Sequence, residues 1–444
     1  MSLSRRRLLV GGTLTAAASA LAPVTTFADR LRAPALRFPD FGDWQSVREQ
    51  FELDSGYVHL GLFYLASHPR PVRAAIEQFR RRLDQNPFLT VERGMFEDHY
   101  PKFYDDVTQA LGRYTGGDPL DFALTSNTTT GLSVVYHGLP LQPEHEILTT
   151  DQDHYVHHEA IRLACERAGA TWRKIPIFSS YGAISADEIV DRIRKGIGPK
   201  TRVVGITWVH SSSGLRMPVR RIADAIGEIN RGRDSADRVL LVVDGVHGIG
   251  VEDQRITALG ADVFVAGLHK WIFAPRGTGF VWARPEIWAT MRPLMASFQY
   301  LEEFNAWADE RPTRPPNRAA MFSPGGFQAF EHHWAVPAAI DFHEKIGPQR
   351  ITERIHALNT QMRAGLAKMP HVVIYTPASS ELSAGLVCFD VKGLKAQETV
   401  SRLLSKKIIA STTPYRVPLS RLACGIMNTP AEVDTALRAV RMLA

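Results

Sequence analysis

From about Asp121 onward, short apolar runs rich in β-branched and aromatic residues alternate with runs whose apolar positions recur at helical spacing. Phe122 to Thr125 precedes Thr129 to Tyr136, and Glu146 to Thr149 precedes His154 to Ala168. Thr171 to Ile177 then leads to a helix opened by Ser185-Ala-Asp-Glu188, a capping box in which serine and glutamate each satisfy a free N–H at the helix start. Arg202 to Val209 precedes Val219 to Arg231, and Arg238 to Val243 leads through a short connection to Ala261 to Ala266. This alternation predicts an α/β fold with a mainly parallel sheet, because parallel neighbours need crossovers and the helices supply them on both faces.

Residues 296–333 break the rhythm: they show no clear periodicity and carry Arg311-Pro-Thr-Arg-Pro-Pro316. A stretch of that length inside a compact domain is more often functional than idle, so an active-site or interface loop is expected there. After Trp334 the pattern predicts helices near 335–346 and 350–367, strands near 371–375, 384–390 and 408–412, and a last helix opened by Thr429-Pro430-Ala-Glu432. The expected organisation is a leader over 1–28, an N-terminal segment over 29–60, a large domain over 61–333 and a small α+β domain over 334–444.

Composition narrows the function classes. The 444 residues are 45% hydrophobic and 22% charged, enough for a large core and unlike a disordered or collagen-like chain. Three units of the net charge of +6 come from Arg5, Arg6 and Arg7, so the rest of the chain carries no nucleic-acid signature. Cys165, Cys388 and Cys424 are too few and too far apart for a disulfide framework or a CxxC metal pair. The fingerprints of serine hydrolases, dinucleotide-binding folds and P-loops are missing.

The first 28 residues are read as a leader. Ser4-Arg5-Arg6-Arg7-Leu8-Leu9 precedes a mild apolar run to Ala22, and Thr26-Phe27-Ala28 offers a small-x-Ala cleavage pattern. Gly11, Gly12, Thr13 and Thr15 leave the run too weakly apolar for a membrane span. The segment resembles a twin-arginine signal peptide, which implies export of a folded protein to the periplasm by the Tat machinery and removal of the leader.

Three features carry chemistry. The strand Val239-Leu-Leu-Val-Val243 ends in Asp244, and ligands of open α/β sheets bind at such carboxyl ends, although many acids there only cap the next helix. The strand Asp262-Val-Phe-Val-Ala-Gly267 delivers His269 and Lys270, where a lysine is often just a solvated terminus. Thr125-Ser-Asn-Thr128-Thr129-Thr130-Gly131 lies between a strand and a helix, either a plain N-cap or an anion cradle of free N–H groups and small hydroxyls. Together an acid, an amine and a phosphate cradle meet the needs of pyridoxal 5'-phosphate: a carboxylate for the ring nitrogen, an amine for covalent attachment and donors for the phosphate. Asp151, Asp153, His154, His157 and His158 also crowd together, but without a third ligand at recognisable spacing a metal site is not favoured.

Ala266-Gly-Leu-His269-Lys270-Trp-Ile-Phe-Ala-Pro275-Arg-Gly277-Thr-Gly279-Phe280, with Asp244-Gly-Val-His247 upstream, resembles the aminotransferase class V family of fold-type I pyridoxal-phosphate enzymes. That family includes cysteine desulfurases, isopenicillin-N-epimerase-like proteins and Tat-exported enzymes that tailor pyoverdine siderophores. The resemblance implies a large domain with a mixed seven-stranded sheet, a small C-terminal domain and a homodimer.

By the same resemblance, Lys270 holds the cofactor and moves the substrate proton, Asp244 faces the ring nitrogen, and His247 bonds the ring's phenolic oxygen. His269, Thr128 and Thr129 take the phosphate, and His154 stacks on the ring. Ser211 lines the substrate side and Arg421 grips a substrate carboxylate, a task for which the planar arginine fork is suited. Gly267 stands where relatives often carry serine, and Ser323-Pro-Gly325-Gly326-Phe327 where they carry a Gly-Thr pair given to the neighbouring subunit. No cysteine is available as a desulfurase nucleophile, since Cys388 falls in an apolar strand and Cys165 on a helix. The expected function is tailoring of a glutamyl residue in a pyoverdine-type precursor by transamination or decarboxylation. The alternatives are a free-amino-acid epimerase or lyase of the isopenicillin-N-epimerase-like type, and a catalytically inactive periplasmic binding protein.

Overall fold

The computed structural model describes residues 38–97, 102–298, 300–312 and 316–443; the expected leader lies outside them. Strand β1 is Val58–His59. Seven strands form the large sheet: β2 (Phe122–Thr125), β3 (Glu146–Thr150), β4 (Thr171–Ile175), β5 (Thr201–Thr207), β6 (Leu240–Asp244), β7 (Val263–Gly267) and β8 (Gly279–Ala283). Their order is β2-β8-β7-β6-β5-β3-β4, and only β8 runs against its neighbours. The mixed seven-stranded α/β sheet expected from the sequence is therefore present.

Alternation along each strand divides side chains between two cores, as the two-residue period of a strand requires. In β6, Leu241 and Val243 join the core on one face while Val242 joins the other. In β7, Phe264 and Ala266 go one way, Val263 and Val265 the other. Burial on both faces is why these strands read as unbroken apolar runs. The parallel strands end together, which brings Thr125, Thr150, Thr207, Asp244 and Gly267 to one edge of the sheet.

A second sheet follows: β9 (Val372–Ile374), β10 (Val387–Val391), β11 (Ile408–Ile409), β12 (Ser411–Thr412) and β13 (Ser420–Leu422). Four of these pair antiparallel in the order β12-β13-β10-β9, and β11 pairs instead with β1 in parallel. Leu60 consequently packs among Leu358, Met362 and Leu422. The final helix Pro430–Arg441 carries the expected Thr429/Glu432 capping box.

Two local readings need correction. Residues 296–333 contain the helix Leu301–Ala308 and the short turns Ala319–Phe322 and Phe330–His333, elements too brief to show a period. The strand β13, absent from the sequence reading, is three residues long and takes its register from β10, pairing Cys388 with Arg421.

Several histidines are held neutral by burial. Desolvation lowers His157 and His333 to about 4, and His343 to about 3. Their folded pKa values lie below the unfolded value near 6.5, so the unfolded chain binds more protons on acidification. This contribution to stability is complete well above pH 6.5 and is lost as pH falls through 4, each group costing on the order of 3–5 kcal/mol when fully expressed. Calorimetric Tm should fall steeply between pH 6.5 and 4.5; a flat Tm would show that these rings are not forced neutral.

Candidate active site

Lys270 sits in the turn leaving β7, and its neighbours Leu268, Trp271 and Ile272 are buried. Leu268 N–H bonds Thr278 O at 3.0 Å and Ala274 N–H bonds Leu268 O at 3.1 Å, closing the turn against β8. Phe273 adopts φ 59°, an uncommon left-handed conformation for a bulky residue, held here by its fully buried ring. The turn thus aims the lysine amine inward. Nζ lies 3.1 Å from His247 Nε2, and His247 Nδ1 accepts the Trp271 indole N–H at 3.2 Å.

Asp244 ends β6 and is 4% exposed. Its Oδ1 accepts the Val246 N–H at 3.1 Å. Gly245 lets the backbone pass close to the Phe264 ring, which a Cβ there would overlap. Burial raises the Asp244 carboxyl and lowers the Lys270 ammonium, each offset in part by the other's charge. Both groups therefore stand in an environment that disfavours a lone charge and rewards a partner.

Beside them, the helix Thr128–Gly138 begins at Asn127, whose side chain caps Thr130 N–H at 2.9 Å. Thr128 Oγ1 accepts the Gly267 N–H at 2.8 Å, which leaves its own hydroxyl proton to donate. His269 Nδ1 is buried without a hydrogen-bond partner among the described residues. Thr129 and Gly277 complete this end of a cavity of about 460 Å³. The first-turn N–H groups that Asn127 leaves free, a hydroxyl with a spare proton and an orphaned imidazole nitrogen form a donor set suited to phosphate.

His154 is the N-cap of the helix Tyr155–Ala168; its Nδ1 accepts Val156 N–H at 3.3 Å. Burial first, then the charges of Lys270 and Arg421, lower it to about 4, so the ring is a neutral platform. Behind it, the buried carboxylate of Asp153 binds Thr149 and Thr150 through Oδ2 and the Thr207 N–H through Oδ1 at 2.7 Å, tying the ends of β3 and β5 together. His157 bonds Tyr136 and His158 bonds Thr150 O, so these side chains point to separate partners.

Arg421 is 2% exposed and borders the same cavity. Nη1 donates to Ser211 O at 2.7 Å and the guanidinium lies 3.9 Å from the Phe63 ring centroid. No carboxylate pairs with it among the described residues. Ser211 Oγ bonds the Tyr415 hydroxyl at 2.8 Å, and the Tyr415 ring meets His154 edge-on at 5.7 Å.

All nine residues singled out from the sequence, Thr128, Thr129, His154, Ser211, Asp244, His247, His269, Lys270 and Arg421, line this one cavity. Sequence reading missed Tyr415, Phe63, Tyr64 and Leu65, which come from loops without a motif. Ser323, by contrast, serves its own chain: its Oγ accepts Leu124 N–H at 2.9 Å and bonds Tyr104.

The profile of the aminotransferase class-V family matches residues 68–425. The chain belongs to that family. Isopenicillin N epimerase of Streptomyces clavuligerus is 28% identical over 408 residues, covering 88% of this chain and 96% of the relative. A probable cysteine desulfurase of Streptomyces coelicolor is 23% identical, covering 90% and 96%. Among solved structures, C-DES with glycine covalently linked to its PLP cofactor aligns with a TM-score of 0.77 at 21% identity, covering 89% of this chain and 98% of that one. Class-V members are pyridoxal-phosphate enzymes of fold-type I, and the donor set above fits that cofactor.

Proposed function

We propose that this class-V enzyme breaks a bond to an amine-bearing carbon whose substrate also carries a carboxylate. The observation that carries the reading is Arg421, a buried arginine without an acid, opening on the cavity of Lys270. Burying a guanidinium is costly unless an anion completes it, and a carboxylate matches its free donors. Pyridoxal phosphate, once bound, supplies an electron sink for the charge left on that carbon. Lys270 would anchor the cofactor and, as an amine whose basicity burial lowers, would take and return the substrate proton. Asp244 would hold a positive charge on the ring nitrogen, His154 would lie against the ring, and Thr128, Thr129 and His269 would bind the phosphate.

The relatives divide on outcome, and the cysteines favour one side. Cys165, Cys388 and Cys424 are buried, and burial raises their thiols to about 11, 12 and 12. None is a thiolate able to take sulfur from a substrate. Chemistry at the carbon, by epimerisation, transamination or decarboxylation, fits better than desulfuration. Incubating the holoenzyme with amino acids and with amine-bearing siderophore peptides in D2O separates these: solvent deuterium with inversion, loss of the amine, or released CO2. Persulfide formation from cysteine with none of these would overturn the proposal.

A peptide-borne substrate, including the glutamyl end of a pyoverdine precursor, is the second reading; the twin-arginine leader favours it, since secreted peptides are what a periplasmic enzyme meets. Arg5→Lys with Arg6→Lys should then retain active enzyme in the cytoplasm, as fractionation would show. Normal periplasmic activity in that variant removes the Tat route.

Asp244→Asn should still bind cofactor but react about 10- to 100-fold more slowly, the value of one charge-assisted hydrogen bond. Unchanged turnover would reduce Asp244 to a helix cap. We also place a second copy of the chain against the segment that exposes the ring pairs Phe298–Phe327 and Phe304–Trp307. Light scattering should return twice the 49.4 kDa chain mass before leader removal.

A further inference from the structure

We infer that Trp271 is a positioning residue: its indole N–H determines which nitrogen of His247 carries the proton and makes that histidine a one-way donor at Nε2. The inference rests on the pyridoxal-phosphate reading for its consequence, though not for its geometry.

An indole nitrogen has a proton and no lone pair to accept with, so at 3.2 Å from His247 Nδ1 it can only donate. Nδ1 must then be the unprotonated nitrogen. A neutral imidazole has one acceptor and one donor, so the proton lies on Nε2. Nε2 is 3.1 Å from Lys270 Nζ, and this contact therefore runs from imidazole to amine. An ammonium at Nζ would ask Nε2 to accept as well, which a neutral ring already accepting at Nδ1 cannot do. The geometry thus requires a neutral Lys270 and a neutral His247. The surroundings agree: burial first, with the Arg421 guanidinium nearby, holds His247 well below its usual range, and burial lowers Lys270 against the pull of Asp244.

Trp271 is well placed to impose this order because its own ring is fixed. It is 1% exposed, and Gly385, on the approach to β10, has no side chain precisely where one would collide with the outer edge of the indole, at 2.7 Å from Cη2. The indole is wedged between the Lys270 turn and the second sheet, so its N–H keeps one direction. Without it, His247 is free to put its proton on either nitrogen, and half of its settings offer a lone pair instead of a donor toward the cofactor's anionic oxygen.

The test starts from protein stripped of cofactor and labelled with 15N-histidine, with His247→Gln used to identify the His247 signals. Long-range 1H–15N correlation at pH 9, above the value of about 8 to which burial lowers Lys270, should show Nε2 protonated and Nδ1 bare. A ring protonated at Nδ1, or at both nitrogens, overturns the inference. Trp271 is then replaced by its benzothienyl isostere, which keeps the shape and exchanges N–H for sulfur, and in parallel by Trp271→Phe. The isostere should yield a mixture of His247 tautomers and bind pyridoxal phosphate about five- to tenfold more weakly, the worth of one directed hydrogen bond. An isostere with the wild-type tautomer and affinity overturns the inference even if Trp271→Phe misfolds, since shape alone would then account for the tryptophan. Failure of the unsubstituted chain to take up pyridoxal phosphate would defeat the cofactor reading instead, with the tautomer still measured in its absence.

Discussion

Lys270→Ala is expected to lower turnover by roughly 10⁴-fold or more. Loss of a positioned acid or base alone costs about 10²–10⁴-fold, and here the same side chain also anchors the cofactor. Among the described residues no second amine lines the cavity to replace it. The substitution should be tolerated structurally, because the turn is closed by the backbone bonds of Leu268 and Ala274 and not by the amine. Borohydride reduction followed by intact-mass analysis gives a check independent of substrate: the wild type should gain a covalent pyridoxyl phosphate, and the variant none. A retained adduct or near-normal activity in the variant would move the reactive amine elsewhere.

Arg421→Lys is expected to cost about 2–5 kcal/mol in kcat/KM, the range for truncating one partner of a buried, hydrogen-bonded charge pair. An ammonium cannot bond Ser211 O, stack on Phe63 and present a planar pair of donors at once. The loss should appear mainly in KM, with cofactor affinity unchanged, since the phosphate cradle is built from Thr128, Thr129 and His269. Unaltered substrate affinity would transfer the carboxylate to another group. Arg416, the nearest basic alternative in sequence, is exposed.

The roles of Lys270 and Asp244 differ in how they could be seen from the chain. Each follows an apolar strand long enough to be recognised, and in a parallel sheet such strands must end on one edge, so their convergence followed from topology. Arg421 follows no such rule. Its strand, β13, is three residues long and owes its existence to pairing with β10, a contact between segments far apart in sequence. Its residue type and neighbours resembled a family position, but nothing local placed its side chain in the cavity.

The same distinction runs through the rest of the molecule. Buried strands of β-branched residues, a capping box, a threonine-rich helix start and the His269-Lys270 turn are local statements, each enforced within a few residues by sterics or by unsatisfied N–H groups. They determined the α/β class and pointed to the cofactor, while the count of seven strands came with the family resemblance. Tertiary packing decided what depends on distant partners: the pairing of β1 with β11, the Tyr415 hydroxyl set against Ser211, and the Trp271 indole on His247. A hydrogen bond's direction depends on both partners and their surroundings, and burial sets which of them keeps its charge. Those quantities exist only once the chain is folded.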